Sequence, residues 1–268
     1  MVRGIYTAAS GLLTVTRDIN VKSNNLANLS TAGFKQDRLV TTTFAEALAV
    51  RQETRTTGQK YNIGDVTRGK KALELKTDFS QGAFQETNRS LDFAIAGKGF
   101  FTVESGRKDE YNLDGDELPY GGKYYTRNGQ FQINQDGYII DGLGNYVLDD
   151  GDLPIFVGRY DFITDEFGSL FTAEGNYIAT LGIYNPDEPD LLIKSGEETF
   201  SILDAEHEPE SLEFEGIVRQ GFIERANTDV AGQMAGLIAA SRSFQSMTQI
   251  IKTIDGVLNK SVNEIGRL

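Results

Sequence analysis

The sequence predicts an α+β fold: N- and C-terminal long helices paired as a coiled-coil-like α-helical domain, with an antiparallel all-β domain inserted between them. Three observations carry this. Ile5, Leu12, Ile19 and Leu26 recur at an interval of seven, with Ala8, Val15, Lys22 and Leu29 three places behind. Ile223, Val230, Leu237, Phe244, Ile251, Leu258 and Ile265 keep the same interval near the C-terminus. Between them the apolar period shortens to two, broken by Gly and Asp turns. A sustained repeat of seven packs helix against helix, whereas alternation builds half-buried strands.

The first element is an amphipathic helix over 3–29, about 40 Å long at 1.5 Å per residue. Its seam is Ile5, Leu12, Val15, Ile19 and Leu26, with Lys22 the residue that fits least well. Gly4 and Gly11 each cost about 1 kcal/mol relative to alanine, so the helix is poor in isolation. Ser30-Thr31-Ala32-Gly33 closes it, since Gly33 can take the left-handed conformation that ends a helix. Residues 36–72 then read as an extended linker region. Phe44, Ala47, Leu48 and Val50 offer a short helix there, and 51–72 reads as extended or mobile.

From 73 to 216 the chain reads as the antiparallel β domain, a sandwich or an irregular barrel. Asn128-Gly129, Asp136-Gly137, Asp141-Gly142 and Glu174-Gly175 stand between alternating apolar runs. Such pairs are strong short-range hairpin signals. Residues 105–123 read as a long loop. A second helix follows over 229–265, about 55 Å long, with Asn227, Thr228 or Asp229 as N-cap. Its seam is Val230, Leu237, Phe244, Ile251, Leu258 and Ile265. Gly232, Gly236, Ala239 and Ser243 share another face, which permits close approach of a further helix. Residues 1–35 and 217–268 thus form a terminal helical assembly domain.

Charge divides the chain in the same way. Of the net −13, residues 1–35 contribute +3 and 217–268 contribute +2, so 36–216 carries −18. An acidic middle argues against a nucleic-acid surface, which must neutralise phosphates. The chain has no cysteine, which excludes disulfides and thiolate metal sites. No stretch approaches the roughly 18 apolar residues of a membrane span, and the N-terminus lacks a signal-peptide pattern. The expectation is a protein that is cytoplasmic, or exported without a cleaved signal.

Catalytic patterns are missing. The single histidine, His207, sits in the acidic run Asp204-Ala205-Glu206-His207-Glu208, and no Gly-x-Ser-x-Gly accompanies it. Gly64 to Lys71 comes near a phosphate-binding loop, but Lys71 stands where Ser or Thr would meet Mg²⁺. Asp114, Asp116, Asp149, Asp150 and Asp152 have the composition of calcium ligands without the loop spacing, and fit turns better. No catalytic, metal or cofactor site is expected. The layout is that of an assembly subunit, with a secreted β-domain enzyme or carbohydrate-binding module as the alternative class.

One string is more specific than the rest. Ser23-Asn24-Asn25-Leu26-Ala27-Asn28-Leu29-Ser30-Thr31-Ala32-Gly33-Phe34-Lys35 ends a helix with three asparagines, although Asn competes for backbone bonds there. Asn24, Asn25, Ala27, Asn28, Thr31, Gly33, Phe34 and Lys35 closely resemble the N-terminal signature of bacterial flagellar rod and hook proteins. Ala32 departs from the proline many members carry. The likeness continues through Phe79-Ser80-Gln81-Gly82, Leu91 to Phe101, Tyr125 to Gly129, Ala240 to Phe244 and Ile250 to Asp255. Residues 149–215 have no counterpart to cite. Length and the single β domain match rod proteins better than the longer hook protein. The proximal rod type is the nearer likeness and the distal type the runner-up. The resemblance implies a structural rod subunit whose partners are other rod subunits, copies of itself and the flagellar type III export apparatus. It implies neither nucleic acid nor membrane insertion, export without signal cleavage, and a place in the periplasmic rod.

Overall fold

The computed structural model describes residues 2–43, 47–52, 60–66, 70–105, 122–158, 162–196, 198–202 and 211–265. The chain divides into two compact units. A helical unit holds Met1–Leu26, Asp37–Lys76 and Asp229–Leu268; a β unit holds Ala27–Gln36 and Thr77–Thr228. The segments 27–36 and 217–228 therefore fold with the β unit, not with the terminal helices as composition implied. Strands claim them: Ile217–Gln220 pairs with Phe93–Ala96, and Phe222–Glu224 with Phe84–Glu86. Ile223, which extended the apolar repeat on paper, is a buried strand residue.

In the helical unit, α1 spans Val2–Ala27 and α2 spans Val230–Ile265. The N-cap of α2 is Asp229: its carboxylate oxygens accept the Ala231 and Gly232 N–H groups at 3.2 and 3.1 Å, satisfying donors the helix leaves open. Glycines mark where the two helices approach. A Cβ built on Gly4 would lie 3.7 Å from Ile254 Cδ1, and one on Gly11 3.0 Å from the Met247 thioether. One on Gly236 would lie 2.7 Å from Lys22 Cε. As the α1 number climbs by seven and then eleven, the α2 number falls by the same steps. The helices therefore run antiparallel in a single register.

The same unit contains strands where a linker and a short helix were expected. Asp37–Thr43 pairs with Lys70–Thr77, and Ala47–Gln52 with Lys60–Val66. Leu48 and Val50 lie on a strand; Phe44 is outside the described residues. The Thr- and Val-rich 37–43 favours extended backbone, and its partner lies some thirty residues ahead, beyond the reach of local periodicity.

In the β unit, one antiparallel sheet runs in the order 192–194, 199–202, 123–126, 100–104, 146–147, 139–140, 132–133, with 183–184 also against 100–104. A three-stranded sheet comprises 162–164, 169–172 and 177–180. The central strand Phe100–Glu104 is buried on both faces. Phe101 and Val103 join a large cluster with Phe93, Phe131, Ile139 and Leu170. Phe100 joins a second cluster with Tyr125, Tyr184, Leu192 and Phe200. Phe101 meets Phe131 edge-on at 5.3 Å, the favoured aromatic geometry.

A single turn design recurs. Asn134, Asp141, Asp149 and Asp165 each accept, on one side-chain oxygen, the N–H groups two and four residues on. Thr172 accepts the latter from Asn176. The residue three places on has positive φ in every case: Gly137, Gly144, Asp152, Gly168 and Gly175. These are side-chain-closed turns in which glycine, or Asp152 in one of them, supplies the left-handed backbone. Asn128-Gly129 is a different structure, although the sequence marks it as a hairpin. Strand Lys123–Thr126 pairs with 100–104 and 199–202 instead. A Cβ on Gly129 would come within 1.9 Å of the Phe93 carbonyl oxygen, so this glycine serves close approach of backbone, not a turn.

Candidate assembly interface

On α1, Ile5, Leu12, Val15, Ile19 and Leu26 are half-buried. On α2, Leu237, Ile251 and Leu258 are half-buried, while Val230 and Phe244 are exposed; the Ile265 side chain lies outside the described residues. The residues three places past each seam position on α2 are also covered. Gln233, Ala240, Met247, Ile254 and Ser261 are buried or half-buried. The sequence list omitted them, although alternating steps of three and four are the signal that finds them. Lys22 lies with its stem on Gly236 and its ammonium paired with Asp18. A lysine thus fits a seam by laying its methylenes on a glycine while its charge stays at the edge.

The small-residue face divides. Gly232 adjoins the Asp229 cap, and Gly236 carries Lys22. Ala239 and Ser243 are exposed. Also exposed are Tyr6 and Leu13 on α1, and Met234, Ile238, Ile250, Val257 and Val262 on α2. No helix among the described residues is long and apolar enough to cross a membrane.

The asparagine-rich string makes within-chain bonds at the roots of these helices. The Asn25 amide grips the Asp37 backbone, donating to its carbonyl at 2.8 Å and accepting its N–H at 3.0 Å. Asn28 accepts from the Thr31 hydroxyl at 3.2 Å. Asn24 and Ala27 are exposed. Gly33 has φ +69°, and a Cβ there would lie 2.3 Å from the Arg127 carbonyl carbon. Its N–H bonds the Glu224 carbonyl at 2.7 Å. Phe34 is buried, with the Lys194 ammonium 4.2 Å from its ring centroid.

Lys35 leads into a buried ionic cluster. Its ammonium donates to Glu224 Oε1 at 2.6 Å and to the Ser80 carbonyl at 2.8 Å. Glu224 Oε1 also accepts the Gly82 N–H at 2.7 Å, and Oε2 accepts from Arg127 Nη1 at 3.1 Å. Arg127 Nη2 donates to the Gly97 carbonyl at 2.7 Å. Lys35 and Glu224 side chains are each 1% exposed. Burial lowers the Lys35 ammonium below its ordinary 10.5; Glu224 pulls it back up and Arg127 pushes it further down. Burial lowers the Arg127 guanidinium as well, against the pull of Glu224. Two cations and one anion share this site, and Glu224 is its centre.

The cluster is structural in its chemistry: the carboxylate, ammonium and guanidinium Nη groups are directed at one another or at carbonyls, while Arg127 Nε is buried with no hydrogen-bond partner. Asp149 spends one oxygen on two backbone N–H groups, and Asp152 pairs with Lys123 at 2.6 Å. Among the described residues no group of three His, Asp or Glu stands together as metal ligands. His207, Asp114, Asp116 and 67–69 of the Gly-rich run lie outside the described residues.

Comparison with known proteins finds matches at both ends and in the middle of the chain. Residues 5–35 match the model described as flagella basal body rod protein. Residues 94–204 match the flagellar hook protein FlgE/F/G D1 domain, a match that reaches into 149–215, where the sequence alone offered no counterpart. Residues 219–264 match the C-terminal model of the flagellar basal body rod FlgEFG proteins. Full-length relatives include the flagellar basal-body rod protein FlgF of Rhizobium meliloti, 29% identical, with 99% of both chains covered. FlgG of Bacillus subtilis is also 29% identical, over 98% of this chain and 99% of its own. The flagellar hook-basal body complex protein FlhO of Bacillus subtilis is 26% identical over the whole of both chains. Both ends and the β unit match in order, and the relatives align end to end: the chain belongs to the flagellar basal-body rod protein family.

Proposed function

We propose that this chain is a structural subunit of the flagellar basal-body rod, of the FlgF/FlgG type. Its terminal helices join copies of itself and other rod subunits into the axial shaft that carries torque from motor to hook. FlgF and FlgG relatives stand at the same identity, so the proximal assignment rests on the opening Gly4-Ile5-Tyr6-Thr7-Ala8-Ala9-Ser10-Gly11 and the Met247 region. In this proposal the subunit leaves through the type III export apparatus with its N-terminus uncleaved and works in the periplasm. The two helices pack as an antiparallel coiled-coil-like pair, which the matched register of Gly4, Gly11 and Gly236 supports.

The observation that carries the proposal is the apolar surface left over after that packing. Ile238 and Ile250 are exposed, at 56% and 50%, on a helix already covered along one seam. At 100° per residue they lie about 120° apart, so apolar side chains remain on two sides of a helix already paired along its seam, which fits further helices. Ile238→Glu and Ile250→Glu should leave the secondary structure of the isolated subunit intact, because both side chains face water, yet block its incorporation into basal bodies. The measurement is circular dichroism of the purified chain beside motility and basal-body composition in cells relying on the variant. Normal basal bodies containing both variants would remove these two positions from the assembly surface.

A further inference from the structure

The segment Ala32–Gln36 belongs to the β unit but to none of its ladders. Separate bonds hold it. Beyond those of Gly33 and Lys35, the Gln36 N–H donates to Asn227 Oδ1 at 2.8 Å, the Gln36 carbonyl accepts from Asp78 N at 2.9 Å, and the Lys35 carbonyl accepts from the Lys194 ammonium at 2.7 Å. Its apolar anchor, Phe34, lies in neither apolar cluster and is covered by that same ammonium.

Charge sets this segment apart from an ordinary piece of core. With Lys35 in place, the fully buried groups are Lys35, Arg127 and Glu224, a net of +1, while the half-buried Asp78 carboxylate is a weaker influence favouring the Lys35 charge. If Lys35 leaves, Glu224 keeps Arg127 and the Gly82 N–H as partners. What remains is a neutral pair, and no buried charge is stranded. The usual reason a buried ion pair cannot open, an uncompensated partner, is thus missing. Burying the Lys35 ammonium, by contrast, carries a desolvation cost that its burial-lowered pKa reflects.

We propose that Ala32–Gln36 is a releasable strap, with the Glu224 carboxylate as its catch, which opens while the rest of the β unit stays folded. The strap ends the ten-residue run 27–36 that leaves and rejoins the helical unit at either side. The device stands on the β unit alone and does not depend on how the helices assemble.

Native-state hydrogen exchange on the full chain tests it. The Gly33 and Gln36 amides are compared with that of Thr102, which bonds the Gly182 carbonyl inside the sheet. Gly33 and Gln36 should exchange at least about tenfold faster than Thr102, as a local opening requires. Lys35→Met leaves the neutral Arg127–Glu224 pair and should slow both strap amides by about threefold or more. Glu224→Gln leaves two buried cations without an anion. It should speed the strap amides by about tenfold or more and change Thr102 far less. Equal exchange at all three amides of the unaltered chain would overturn the strap. So would unchanged or faster strap exchange in Lys35→Met, or a Glu224→Gln chain in which Thr102 speeds as much as Gly33.

Discussion

Phe101 and Phe244 occupy comparable positions in the two units, yet one is wholly buried and the other is 37% exposed. Phe101 sits on the central strand of a sheet covered on both faces. Phe244 sits at a seam position of a helix that meets one other helix. The β unit is built round two buried aromatic-rich clusters, although Leu143, Ile163 and Phe167 stay exposed on its surface, whereas the seam of the helical unit is only half-buried. One unit thus has a closed core, and the other a seam that is partly open.

Truncating each phenylalanine tests that contrast most strongly. Phe101→Ala should cost the β unit about 3–5 kcal/mol, through lost burial and an unfilled cavity. Phe244→Ala in the isolated subunit should cost less than about 1 kcal/mol, since much of its ring faces water already. Urea unfolding followed by tyrosine fluorescence and helical ellipticity reads both. Similar losses at the two sites would erase the distinction between a closed core and an open seam.

The glycines sharpen it further. Gly33→Ala forces a side chain onto backbone 2.3 Å away at positive φ. It should destabilise the β unit by about 2 kcal/mol or more, seen as a lower urea midpoint. Gly256, near the open end of α2, has nothing within 4 Å of a built Cβ. Gly256→Ala should therefore gain up to about 1 kcal/mol of helix stability, measured as higher ellipticity at 222 nm. A loss there would mean that this surface is already occupied in the isolated chain.

The sequence disclosed these units unequally. Both helices were legible to within a few residues, because a repeat of seven is a local signal carried by the segment that forms the helix. The hairpins closed by Asp136-Gly137 and Glu174-Gly175 were legible for the same reason. The Lys35–Glu224 and Arg127–Glu224 pairs were not: 189 and 97 residues separate the partners, and no local pattern marks them. Asn128-Gly129 misled because its glycine is required by the Phe93 carbonyl opposite rather than by a turn. The strands within 37–77 were missed because each finds its mate across a gap. The signature string was recognisable as a family mark, but its letters do not say that Gly33 and Lys35 serve the β unit and not the helix they follow.

The five matching turns have a consequence for the acidic exterior. Asn134 and Thr172 make the turn without a charge, whereas Asp141, Asp149 and Asp165 make it with one. The backbone asks only for an oxygen acceptor at that position. The charges of Asp149 and Asp165 are therefore optional to folding, whereas Asp141 also accepts the Asn145 side-chain amide on its second oxygen at 2.8 Å. Electrostatic character at these corners can vary between relatives by single exchanges of Asp for Asn, with the architecture beneath left as it is.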